Sequence, residues 1–335
     1  MVKARKYVVK RRFEGKPKRD DFEIVEYELP PLKENEILVK TEWISVDPAH
    51  RYSNAFIPIP YDQFGFQIGK VLDTKDAKYP VGTKVVSHIG WCDYAILKES
   101  QYEWNIIYKL PELEGLPTEL GIGDIGMPGA TAYFGFLEIC KPKSGETVVV
   151  TSAAGAVGYI VGQIAKIKGC RVIGFTGSDA KVKWLEEEIG FDKAINYKTA
   201  DIPKALKEAA PNGVDCYFDN VGGEISSIIL SQMNLYGRVS ICGSISTYNF
   251  APNEMPKALL TQPSILLKEL LLEGFIVTRW SREKCWPQAF THIKKWIKSG
   301  QIKYRSHITV GFDNVFDAFI GMLDGENFGK ACVKI

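Results

Sequence analysis

Residues 147–158 read TVVVTSAAGAVG, an apolar, mostly β-branched run that breaks into a turn of small residues and then into a helix-like stretch. Few folds accept that transition. Gly155 and Gly158 fall where a dinucleotide-binding fingerprint places its second and third glycines, while Ala153 stands where the first would be. A glycine at 155 lets the backbone approach a pyrophosphate, with Ala156 and Val157 leading into the helix, and one at 158 lets helix and strand pack closely. The unpaired N–H groups and the dipole of a helix N-terminus at this point favour an anion.

Alone the motif is weak, but the chain around it alternates between two periods. Strands are predicted at 147–151, 171–175, 194–196, 214–219, 238–242 and 274–277, with helices at 157–168, 179–189, 203–210 and 224–233 among those between them. Six strands separated by helices define an α/β unit, a doubly wound parallel sheet of the Rossmann type. The first 120 or so residues read differently. Short alternating segments such as 36–39 and 84–87 are divided by the turn clusters Pro30-Pro31, Asp47-Pro48, 58–60 and 79–82, which predicts a β-rich domain. The expected division is 1–124, 125–298 and a tail at 299–335, where segments 308–310, 315–323 and 329–335 return to mixed structure.

The charge balance excludes several functions. Lys and Arg number 42 against 40 Asp and Glu, leaving +2, too little for a nucleic-acid or membrane-surface binder. Lys3, Arg5, Lys6, Lys10, Arg11 and Arg12 are interrupted by Tyr7, Val8 and Val9, which suits a first strand with a wet edge. No apolar targeting core follows, and no run approaches the ~20 residues needed to span a bilayer. These features lead us to expect a cytoplasmic protein with no membrane contact. The cysteines at 92, 140, 170, 216, 242, 285 and 332 and the four histidines are dispersed. They read as reduced thiols and ordinary imidazoles, and we expect no metal site.

The end of the second predicted strand bears on the choice of cofactor. An NAD site asks for an acid there, to bond the adenosine ribose 2′-hydroxyl. This chain has Thr176-Gly177-Ser178-Asp179-Ala180-Lys181, with Asp179 placed as a helix N-terminal residue. Ser178 and Lys181 can instead take a 2′-phosphate, which favours NADPH/NADP+. Read singly, Lys181 is a solvated helix residue; the missing acid turns the argument.

Four stretches carry a resemblance: GMPGATAYFG at 126–135, AAGAVG at 153–158, FDNVGG at 218–223 and ICGSISTYN at 241–249. Together with ELPPLK at 28–33, VDP at 46–48 and GENFGK at 325–330, they resemble the prostaglandin reductase and alkenal/one oxidoreductase family. These are zinc-free medium-chain dehydrogenase/reductases. The resemblance implies a GroES-like β-rich catalytic domain, rejoined by the C-terminal tail, and a homodimer formed through the nucleotide domains. It implies NADPH contacts from Gly155, Ala156, Val157, Gly158, Lys181, Tyr197 and Asn220. Cys242, Gly243, Ser244, Ile245, Ser246, Thr247, Tyr248, a strand at Phe275, Ile276 and Val277, and Asn327 complete the set. Read without it, Tyr197 is an ordinary strand-end aromatic and Asn220 a turn former. The family places lipid enones and enals, including 15-oxo-prostaglandins, as small-molecule substrates. This chain departs from the family pattern at Ala49-His50-Arg51, in the proline-rich 57–61 stretch, at 63–67 and at 250–263.

The implied chemistry is hydride transfer to the β-carbon of a conjugated carbonyl, which needs a donor for charge developing on oxygen. Tyr248 follows a predicted nucleotide-domain strand at its carboxyl end, and a phenol, titrating near 10, donates at neutral pH. Read bare, a tyrosine there is packing. A zinc alcohol dehydrogenase, a quinone reductase, a non-catalytic NADPH binder and an NADP-dependent dehydrogenase of a leukotriene 12-hydroxyl are the rival readings.

Overall fold

The computed structural model describes residues 2–99, 106–250, 254–255, 258–282 and 284–335. Two compact units result: Met1–Gly123 with Ser306–Ile335, and Asp124–Arg305.

In the second unit we number the strands β1 (Thr147–Val150), β2 (Arg171–Thr176), β3 (Lys193–Asn196), β4 (Val214–Asp219), β5 (Met233–Ile241) and β6 (Leu271–Gly274). They form one sheet in the order β3-β2-β1-β4-β5-β6, every neighbouring pair parallel. This is the doubly wound order, with its switch point between β1 and β4. The central strands are apolar without alternation because helices cover both faces: Val148, Val149, Val150, Val172, Ile173, Phe175, Tyr217 and Phe218 are all buried. Fully burying such side chains contributes roughly 1.5–3 kcal/mol apiece. The unit runs on to Arg305. The Lys303 backbone N–H donates to Gln163 Oε1 at 2.7 Å, and Gln163 Nε2 donates back to the Lys303 carbonyl at 3.0 Å.

Strand β6 corrects the expectation for 274–277. It ends at Gly274, opposite Ile241, and Phe275–Val277 follow the strand rather than form it. The cause is packing. The Phe275 ring turns inward onto Gly135, where a Cβ would lie 2.3 Å from Phe275 Cζ, and lies 5.3 Å from Trp280. Strand β5 is longer than expected toward its N-terminus and stops at Ile241, leaving Cys242 in the turn beyond.

The first unit holds a seven-stranded sheet and a three-stranded one. Ile37–Ser45 is antiparallel both to Gln67–Thr74 and to the C-terminal strand Lys330–Lys334, so the chain's end is built into its beginning. The opening strand Lys3–Val9 is not an edge. It lies between Phe22–Glu28 and Tyr61–Asp62, with Lys3 exposed and the half-buried Arg5 and Lys6 paired to Asp93 and Asp62. A core of Tyr7, Phe22, Trp91, Phe316 and Phe319 lies against it. Phe66, in the divergent 63–67 stretch, is 4% exposed and packs 4.8 Å from the His88 ring, so it belongs to the interior.

Under this sheet sits a buried charge pair. Lys330 is 1% exposed, and its Nζ donates to the Val46 carbonyl at 2.8 Å and the Ala331 carbonyl at 2.6 Å. It stands 3.2 Å from Asp47 Oδ1, and the same carboxylate accepts from Ser45 Oγ. Burial alone would raise the Asp47 carboxyl; Lys330, His50 and the Ser45 hydroxyl outweigh it and hold it below its usual value. His50 is buried beside them, its Nδ1 accepting from the Asp47 N–H at 3.3 Å, and desolvation pushes it down to about 4.

Candidate cofactor and active site

The turn after β1 begins with Ser152 in the left-handed region at φ +50°, and the Ala153 N–H then donates to the Phe175 carbonyl at 2.9 Å. The left-handed residue is therefore Ser152, and Ala153 is buried against Gly174 of β2. The helix Gly158–Ile167 starts directly over this turn: a Cβ on Gly158 would lie 2.4 Å from the Ser152 carbonyl oxygen. Only glycine permits that approach. Gly155, Ala156 and Val157 thus stand at the N-terminus of a ten-residue helix, a place suited to a pyrophosphate.

Beyond β2, Ser178 caps the helix Asp179–Lys183, its hydroxyl accepting from the Lys181 N–H at 3.4 Å. Asp179 lies in that helix's first turn and accepts from Asn196 Nδ2 at 2.7 Å. Lys181 is 8% exposed, and burial together with the charge of Lys198 lowers its ammonium below the ordinary lysine value. Tyr197 follows β3, with its N–H on the Thr176 carbonyl at 3.0 Å and its side chain exposed. A Cβ on Gly177 would meet Tyr197 Oη at 3.1 Å and Lys198 Cε at 3.3 Å.

At the switch point Asn220 joins β4 to β1, donating from Nδ2 to the Thr151 carbonyl at 2.7 Å and from its backbone to Thr151 Oγ1 at 3.0 Å. Asp219 anchors the same turn: Oδ1 accepts the N–H groups of Val221 and Gly222, each at 2.9 Å, and Oδ2 accepts Ser226 Oγ at 2.6 Å. The 242–248 segment zips onto it. Cys242 and Gly243 donate to the Asp219 carbonyl, Ile245 to that of Asn220 and Ser246 to that of Val221. Ser244 and Thr247 share a hydroxyl contact at 3.0 Å. Burial pushes the Cys242 thiol up to about 12, so it stays neutral. Tyr248 then folds back, its Oη accepting from the Ser244 N–H at 3.4 Å.

The structure therefore gathers Gly155–Gly158, Ser178, Lys181, Tyr197, Asn220 and 242–248 at the carboxyl ends of parallel strands in one unit. Phe275 commits its ring to the interior and Ile276 is exposed. The Val277 carbonyl accepts Trp286 Nε1 at 3.2 Å. Asn327 belongs to the other unit, 8% exposed, with Nδ2 on the Gly329 carbonyl at 2.7 Å. Lys198 and Asp219 were missed from the sequence; the run Asn196-Tyr197-Lys198 at a strand end was the signal available for the first. The glycine-lined turn over a helix N-terminus, and the turn after β2 with Lys181 buried and Asp179 engaged by Asn196, fit a dinucleotide with a 2′-phosphate. Among the described residues no three His, Cys, Asp or Glu side chains converge as metal ligands, and no helix is long and apolar enough to cross a membrane.

Fold and site define an oxidoreductase of the dehydrogenase/reductase type. Two family models agree: one described as the N-terminal domain of oxidoreductase matches residues 5–104, and one described as zinc-binding dehydrogenase matches 156–295. The bovine (Bos taurus) protein prostaglandin reductase 1 is 46% identical over the whole of both chains. The 2-alkenal reductase (NADP(+)-dependent) of Nicotiana tabacum is 36% identical, covering 100% of this chain and 98% of that one. The crystal structure of CurA in complex with NADPH from Vibrio vulnificus aligns with a TM-score of 0.90 at 33% identity, over 98% of each chain. The chain belongs to the prostaglandin reductase family of medium-chain dehydrogenase/reductases.

Proposed function

We propose that this chain reduces the carbon–carbon double bond of α,β-unsaturated ketones and aldehydes with NADPH. Membership of a family of prostaglandin and alkenal reductases supports the reaction class. The single structural observation behind it is the turn after β2, where Asp179 is engaged by Asn196 and Lys181 is buried, beside a glycine-lined helix N-terminus. When bound, NADPH supplies the hydride that adds to the β-carbon. The chain's own part is to hold that geometry and to meet negative charge as it gathers on the substrate carbonyl oxygen. Tyr248 is the donor we assign. The Ser244 N–H directed at Oη withdraws charge from the phenol and makes its proton a better donor.

The substrates are conjugated carbonyls with apolar tails, 15-oxo-prostaglandins and lipid-derived alkenals among them. Turnover of a matched pair, an enone and its saturated ketone, tests this. Faster turnover of the saturated ketone, or of ethanol with NADP+, would overturn the reading, and so would activity lost on removal of stoichiometric zinc.

A homodimer and a cytoplasmic location complete the proposal. Strand β6 is the outermost of its sheet, and Leu259, Leu260, Leu266, Leu267, Leu271 and Ile276 are exposed along the chain that leads into and out of it. An exposed apolar edge favours strand-to-strand pairing, and a second copy of the same edge is its natural cover.

A further inference from the structure

The turn after β2 gathers more positive charge than one lysine supplies. Gly177 has no side chain, and the space a Cβ would take is bounded by Tyr197 Oη and by Lys198 Cε. The stem of Lys198 thus reaches back over the turn rather than out along its own loop. Lys181 approaches the same turn from the helix side and is buried, its ammonium disfavoured by desolvation and by Lys198. Asp179, the nearest acid in sequence, accepts from Asn196 Nδ2 at 2.7 Å. The other lysines around this edge behave differently: Lys166 pairs with Asp192, Lys183 with Glu187 and Lys193 with Glu186. Among the described residues Lys198 forms no ion pair.

Two cations held near each other repel, which raises the energy of the free protein. A phosphate monoester carries a charge of about −1.5 to −2 at neutral pH, which one lysine neutralises only in part. We propose that Lys198 is a second specificity-determining cation of the adenosine 2′-phosphate site, acting jointly with Lys181 and with Gly177 leaving room for the phosphate. This rests on the NADPH reading above. Binding of the phosphate converts a repulsion between the lysines into two attractions, so the discrimination against a 2′-hydroxyl is larger than either lysine gives alone.

Calorimetric binding of 2′,5′-ADP and 5′-AMP to the full-length protein separates the possibilities. Lys198→Ala is expected to weaken 2′,5′-ADP roughly five- to twentyfold, a modest effect for a charge contact because the side chain is exposed. Its 5′-AMP affinity should stay within about twofold, and Lys198→Arg should recover most of the loss, since the charge is kept. The double variant Lys181→Ala/Lys198→Ala should bind both nucleotides alike. If Lys198→Ala binds 2′,5′-ADP as the parent does while Lys181→Ala does not, Lys198 is outside the site and the proposal is wrong. Equal losses for both nucleotides would make Lys198 a general structural residue and also overturn it. A parent protein that does not distinguish the two nucleotides would instead bring down the NADPH reading, and the proposal with it.

Discussion

The Ser244 N–H donates to Tyr248 Oη across a single turn of chain, 3.4 Å from nitrogen to oxygen. The turn is short because the 3-10 segment Ile245–Thr247 brings residue 248 back over residue 244, with Thr247 Oγ1 on the Ser244 carbonyl at 2.8 Å. The phenol is therefore oriented by its own loop, at the carboxyl end of β5.

Tyr248→Phe removes one hydroxyl and almost no volume. Folding and NADPH affinity should persist while the hydride step slows roughly ten- to a thousandfold, the scale of one transition-state donor or general acid. The Michaelis constant for the enone should move less, because the charged oxygen accepts a stronger hydrogen bond than the neutral ketone. Stopped-flow loss of NADPH absorbance reads the step directly. An undiminished single-turnover rate would reduce Tyr248 to packing.

Lys181 gives a pH dependence. Burial and the neighbouring Lys198 lower its ammonium from the ordinary 10.5, so in the free protein it begins to lose its proton on the alkaline side before a solvated lysine would. The charged form is the one that binds phosphate. The Michaelis constant for NADPH should therefore be flat at neutral pH and rise as the pH climbs toward 10.5, while that for NADH rises less. Lys181→Ala should raise the NADPH constant at neutral pH and flatten the alkaline rise. The same slope in parent and variant would assign the titration elsewhere.

The Asp47–Lys330 pair predicts an asymmetry in stability. Lys330→Met leaves a buried carboxylate without its cation and should cost about 3–5 kcal/mol, whereas Asp47→Asn combined with Lys330→Met should recover a large part. The folded Asp47 carboxyl is depressed, so its contribution is present above the unfolded value of 3.8 and lost as pH falls through the lower folded value. Acid unfolding of the parent between pH 3.8 and more acidic values should be steeper than that of the double variant. Thermal unfolding of the three proteins at neutral and acid pH measures both effects.

Leu267→Glu places a charge on the exposed stretch before β6. Sedimentation should show monomers where the parent sediments as a dimer, with the far-ultraviolet dichroism unchanged. A parent that is monomeric at every concentration would remove the dimer from the proposal.

The second unit was legible because its physics is local. Buried parallel strands such as Val148–Val150 are unbroken apolar runs, and Gly158 marks a close approach of helix to turn that a side chain would block. Tyr248 and Lys181 were candidates because each follows a strand end, whereas Tyr197 rested on the family resemblance. What escaped was long-range. No periodicity reveals that Lys330 answers Asp47 from the far end of the chain, or that Lys3–Val9 gains a partner on each side. The packing partners of Phe275 and Phe66, Gly135 and His88, likewise lie far off in sequence. Of the divergent 250–263 segment, residues 251–253 and 256–257 lie outside the described residues.

The strand Lys330–Lys334 completes the sheet begun by Ile37–Ser45, which imposes an order on vectorial synthesis. Residues 1–123 are synthesised before the rest of their own unit, and their sheet lacks two strands and the Lys330 cation until residues 306–334 have been made. The Asp124–Arg305 unit has no such debt to later sequence and can close while the ribosome is still elongating. The nascent chain thus passes through a stage with its second unit formed and its first exposed, when holdase chaperones have most to bind. A chain arrested before residue 306 should resist proteolysis in the middle and be digested at its beginning.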